Sequence, residues 1–141
     1  MSFQGDLLNG WPEDGEPDMS TLYKVSTKHI GGELIKENAQ YTLRDNKRLN
    51  NLVLSSTKLN ANQRTNGHDH DGQEEVYIFT KGKGEMIIQE KGREECRFPV
   101  QSGDIVLIPD GAFHQVINSS HLGSVSYTHL RAHETSLHLV C

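Results

Sequence analysis

Between Tyr23 and Asn118 the chain alternates short apolar runs with clusters of glycine, asparagine and aspartate. Leu52-Val53-Leu54-Ser55-Ser56-Thr57 predicts a strand, and so do Glu75–Phe79 and Glu85–Ile88. Ile105–Ile108 is a short continuous apolar run, and His114–Ile117 predicts a further strand. The breaks between them are turn chemistry: Lys81-Gly82-Lys83-Gly84, Lys91-Gly92, Ser102-Gly103-Asp104 and Asp110-Gly111. Short strands with turn signals at close intervals predict an all-β sandwich or barrel over residues 22–124. A helical period appears nowhere except near the C-terminal end.

The two flanks depart from this rhythm. Residues 1–21 hold Asp6, Glu13, Asp14, Glu16 and Asp18 and no lysine or arginine, and their prolines and glycines predict an extended acidic arm. Trp11 is its one aromatic anchor candidate besides Phe3. Residues 125–141, VSYTHLRAHETSLHLVC, resemble a tail found on unrelated open reading frames of metagenomic assemblies, where sequencing-adapter DNA has been translated. The expected native barrel therefore ends near Gly123 or Ser124, with one or two more strands needed after Asn118 to complete it. The rival reading is a C-terminal helix whose His129 and His133, at i and i+4, share a face with His138 nearby.

Composition narrows the function classes. The chain has 141 residues, enough for one domain, and a formal net charge of −5. A pI near 5.9 argues against a nucleic-acid binder, which normally presents a basic face. Mean hydropathy of −0.61, with no apolar run near the roughly 18 residues of a membrane helix, argues against a membrane span. Two cysteines, Cys96 and Cys141, make no disulfide framework, and no basic-then-apolar leader is present; a cytoplasmic protein is expected.

Candidate chemistry is concentrated in two stretches. In the first, His68 and His70 alternate so that both imidazoles can face one way, and the Asp71-Gly72 turn can bring Glu75 back beside them. Two imidazoles and a carboxylate suit a divalent ion: Mn, Fe, Zn, Ni or Cu. In the second, a Pro109-Asp110-Gly111 turn places His114 at a strand start. Strand parity puts Gln73, Tyr77 and Phe79 on the face of Glu75 and points Val76, Ile78 and Glu74 away. Val116 and Asn118 share the face of His114. Parity leaves open whether Ser55 and Thr57, or Ser56 and Lys58, face inward. Arg64 is a candidate anion partner in the loop before His68.

Together these residues resemble the cupin superfamily. Its first motif, G(X)5HXH(X)3-4E(X)6G, is met by His68, His70, Glu75 and Gly82, with Asn62 in place of the leading glycine. Asparagine tolerates a left-handed backbone better than other side chains, so the substitution is compatible. The second, G(X)5PXG(X)2H(X)3N, is met by Gly103, Pro109, Gly111, His114 and Asn118. The resemblance implies a double-stranded β-helix (jelly-roll) barrel with one divalent metal ion on His68, His70, Glu75 and His114. It is similar in particular to small cupins grouped with mannose-6-phosphate and glucose-6-phosphate isomerases. That implies a metal-dependent isomerase of a sugar or sugar phosphate, and a homodimer; Tyr77, which parity places in the pocket, or a residue not identified from the sequence is the candidate catalytic group that shuttles the proton. The other readings are a non-haem metal dioxygenase and a non-catalytic module binding a sugar or carboxylate.

Overall fold

A computed structural model describes residues 19–69 and 72–133. After a short 3-10 turn at Met19–Leu22 come nine strands: β1 (Glu33–Glu37), β2 (Tyr41–Asn46), β3 (Leu52–Leu59), β4 (Glu75–Lys81), β5 (Lys83–Gln89), β6 (Cys96–Gln101), β7 (Ile105–Ile108), β8 (Phe113–Ile117) and β9 (Val125–Ala132). They form two antiparallel sheets, one ordered β1-β2-β3-β9-β4-β7 and one ordered β6-β5-β8. All five strands expected from the sequence are present. The architecture is all-β, as the turn spacing predicts.

The sheets enclose one apolar core. Leu59, Phe79, Val106, Ile108 and Tyr127 from the large sheet meet Met86, Val100 and Val116 from the small one. Single bridges pair Arg64 with Ile117 and His68 with His114, so the loop entering the site is stitched to β8 of the small sheet. β6 carries Pro99, which has no N–H to give a ladder, and β6 lies at the edge of its sheet. That proline hides the strand from a reading by propensity.

β9, formed by the stretch expected to lie beyond the native barrel, is inserted between β3 and β4 and pairs with β3 from Leu52↔Ala132 to Leu59↔Val125. The helical alternative for His129 and His133 fails, since residues 125–132 are a strand and Val125, Tyr127 and His129 are buried on one face at period two. After Asn118 the next strand is β9. His138 and the acidic arm up to residue 18 lie outside the described residues.

Asn62 is the one non-glycine with positive φ among the described residues, at 61°. Asparagine accepts the left-handed geometry that the motif normally assigns to glycine. Asn118, buried to 1%, ties the barrel end together: its Nδ2 donates to the carbonyls of Leu59, Asn60 and Gly123. Its place in the motif is therefore structural.

Candidate metal centre

Glu75 begins β4 and alternates with Tyr77 and Phe79, so all three turn inward while Val76 and Ile78 are only half-buried. His114 is the second residue of β8, delivered by the Pro109–Gly111 turn. His68 is held opposite it by reciprocal backbone hydrogen bonds, His68 N to His114 O at 3.1 Å and His114 N to His68 O at 3.0 Å. Ligand atoms of His68, Glu75 and His114 consequently lie within 4.8 Å of one another. Bonds near 2.0–2.2 Å to a common ion hold ligand atoms at most about 4.4 Å apart, so side-chain shifts of a few tenths of an ångström bring the three into range. His70, the fourth expected ligand, lies outside the described residues.

The donor set fits a cation. His114 donates Nδ1–H toward the Ala112 carbonyl at 3.0 Å, which fixes its tautomer and leaves Nε2 as the free lone pair. That Nε2 is buried, is 3.2 Å from Glu75 Oε2, and finds no hydrogen-bond partner among the described residues. A buried acceptor facing a carboxylate is costly unless a proton or a cation lies between them. Burial works to raise the Glu75 carboxyl, but His114, His129 and His68 outweigh it and hold the group below the usual carboxylate range. Burial works to lower His114, while Glu75 and the Ala112 carbonyl reverse this and raise it. Both shifts mark a place that favours positive charge.

His68 and Glu75 line a cavity of about 330 Å³. Ser55 and Thr57 line it, which settles the parity of β3, and Gln73 and Tyr77 line it as expected. Tyr77, 3% exposed, stacks on Tyr127 with ring centroids 4.8 Å apart and meets His114 edge-on at 5.6 Å. Burial pushes its hydroxyl well above the ordinary tyrosine range, so it keeps its proton. Arg64 is exposed and outside the cavity lining, and only its backbone carbonyl is engaged, by Gln40. Glu74 is exposed, as parity predicts.

Several lining residues carried no sequence signal. Tyr41, Thr65 and Asn66 enter from β2 and from the loop before His68. His129 and Arg131 enter from β9; parity would have found them had that stretch been read as a strand. His129 Nε2 is 4.0 Å from Glu75 Oε1, and burial lowers this imidazole to about 4, so it is neutral at pH 7. Arg131 donates to buried Asp45 at 3.1 Å, and Asp45 also accepts from Ser55 Oγ at 2.5 Å.

Residues 56–129 match the Cupin domain family, more than half of the chain. The chain is a cupin. Among curated proteins it is similar to glucose-6-phosphate isomerase of Pyrococcus abyssi, 35% identical over 57 residues, and to that of Pyrococcus horikoshii, 37% identical over 57 residues. Those matches cover 39% of this cupin and 30% of each relative, so the chain spans under a third of their length. Among solved structures, Bacillus subtilis oxalate decarboxylase aligns with a TM-score of 0.63 at 16% identity, over 70% of this chain and 27% of that one. The plu4264 protein of Photorhabdus luminescens aligns with a TM-score of 0.59 at 17% identity, over 83% and 92%. At these identities the two structures establish the jelly-roll fold of this cupin. No helix among the described residues is long and apolar enough to cross a membrane.

Proposed function

We propose that this cupin holds one divalent metal ion on His68, His70, Glu75 and His114 and isomerises a small sugar or sugar phosphate. The observation that carries the reading is the convergence of His68, Glu75 and His114 within 4.8 Å, with His68 and Glu75 in the wall of a cavity. A bound cation would supply Lewis acidity toward adjacent hydroxyl and carbonyl oxygens of the substrate. The chain supplies the rest. Neutral donors and acceptors (Tyr41, Ser55, Thr57, Asn66 and Gln73) surround the cavity, a lining suited to a polyhydroxylated molecule. Tyr77 holds its proton and serves as a hydrogen-bond donor toward a substrate oxygen. The similarity to glucose-6-phosphate isomerases favours sugar isomerisation over dioxygenase chemistry.

The reading includes a homodimer. β1 is an edge strand exposed along its whole length, with Leu34 and Ile35 each 48% exposed, and among the described residues its outer edge has no partner strand, which leaves it to pair with a second copy. Sedimentation equilibrium reports the assembly directly.

The functional test is metal analysis of protein purified without chelator, then assays of aldose–ketose interconversion after loading with Mn, Fe, Zn, Ni or Cu. About one metal per chain, lost in Glu75→Gln and His114→Ala, is the expected result, with solvent deuterium entering the substrate during turnover. A chain that takes up no divalent ion refutes the metal assignment. Metal uptake with tight sugar binding but no turnover and no exchange refutes the isomerase and leaves a binding module.

A further inference from the structure

The outer face of the large sheet carries a second concavity, which shares Thr57 and Tyr127 with the lining of the metal-centre cavity. Lys28, Arg44, Lys58 and Lys81 line it, together with hydroxyl-bearing side chains such as Ser56 and Ser126, over about 480 Å³. Among the described residues no carboxylate lines it; Glu37 accepts a 3.4 Å hydrogen bond from Thr42 at its rim. Among the described residues none of the four cations forms an ion pair, although the chain as a whole has a net charge of −5.

The register brings these charges together. Lys58 of β3 and Lys81 of β4 both stand opposite Ser126 of the intervening β9, so their backbones are about 10 Å apart across two strand spacings. Strict alternation from Glu75 would send Lys81 inward. A register shift between Phe79 and Lys81 turns it onto the outer face instead. Arg44 pairs with Ser56 and Lys58 with Thr42, which makes Arg44 and Lys58 diagonal neighbours on one face. Like charges at that spacing repel, and a bound anion relieves the repulsion. Lys28 closes the concavity from the segment before β1.

We propose that this groove binds a small phosphate-bearing anion, a site separate from the metal centre. Lysine and arginine supply charge and forked N–H donors, and the hydroxyls supply further donors to phosphate oxygens. The volume accommodates a phosphate monoester.

The test uses the whole chain with inorganic phosphate, pyrophosphate and a sugar phosphate as probes, in calorimetry at ionic strength matched with chloride. The expected result is saturable binding that weakens at least tenfold in Arg44→Gln/Lys58→Gln/Lys81→Gln and is retained in Glu75→Gln. Retention in Glu75→Gln separates this site from the metal centre. Because the triple variant changes only exposed side chains, circular dichroism confirms its fold, and Lys58→Gln alone should weaken binding in the same direction. Binding unchanged in the triple variant, or reproduced by chloride, overturns the proposal. A fourth variant neutralises Asp6, Glu13, Asp14, Glu16 and Asp18. If phosphate binds only in that variant, the groove serves the chain's own acidic segment and the small-anion assignment falls.

Discussion

Ending the chain after Ser124 removes β9, the strand with two hydrogen-bonded neighbours at the centre of the large sheet. It takes away Val125 and Tyr127, 1% and 3% exposed, both in the main core. A fully buried valine contributes about 1.5–2 kcal/mol, and loss of a buried large aromatic costs about 3–5 kcal/mol. The two together approach ~5–7 kcal/mol, before counting the ladders that β3 and β4 lose on their inner edges. A domain of this size has about 5–15 kcal/mol in total, so the shortened chain should be largely unfolded or aggregated. Ending it after His133 instead should leave urea unfolding within about 1 kcal/mol of the whole chain. Near-UV circular dichroism and urea titration read both. A third variant replaces Val125–Ala132 by an unrelated alternating stretch. It should retain the fold, because the slot selects period-two burial rather than particular residues. If the chain ending at Ser124 unfolds at the same urea concentration as the whole protein, β9 contributes nothing and the barrel ends where the C-terminal resemblance places it.

Three further outcomes follow from the geometry. His129 is neutral when buried and charged when unfolded between about pH 4 and its ordinary value of 6.5, so the unfolded state binds more protons there. Stability of the metal-free protein should fall by ~3 kcal/mol as pH drops across that window, and His129→Phe should remove that part of the slope; parallel profiles in urea refute it. Raised proton affinity at His114 makes metal uptake compete with protons, so affinity should weaken on acidification, read by competition with a coloured chelator. Asn62→Gly should be neutral or slightly stabilising while Asn62→Ala costs about 1 kcal/mol, because φ is 61° there; equal melting temperatures contradict this.

The sequence by itself determined the local features of this cupin. Period-two alternation named the faces of β4 and β8, and the turn dipeptides located their ends. The histidine and glutamate spacing named His68, Glu75 and His114 before any geometry was visible, because a strand and a tight turn dictate side-chain direction over a few residues. Tertiary structure decided what depends on residues far apart in the chain. Ser55 and Thr57 were chosen over Ser56 and Lys58 only when β3 paired with β2 and β9. Residues 125–132 read as a broken tail in isolation, since strand propensity is weak without neighbours; β3 and β4 on either side make them a strand. The same pairing brought His129 to within 4.0 Å of Glu75, 54 positions earlier in the chain, a proximity no local pattern encodes.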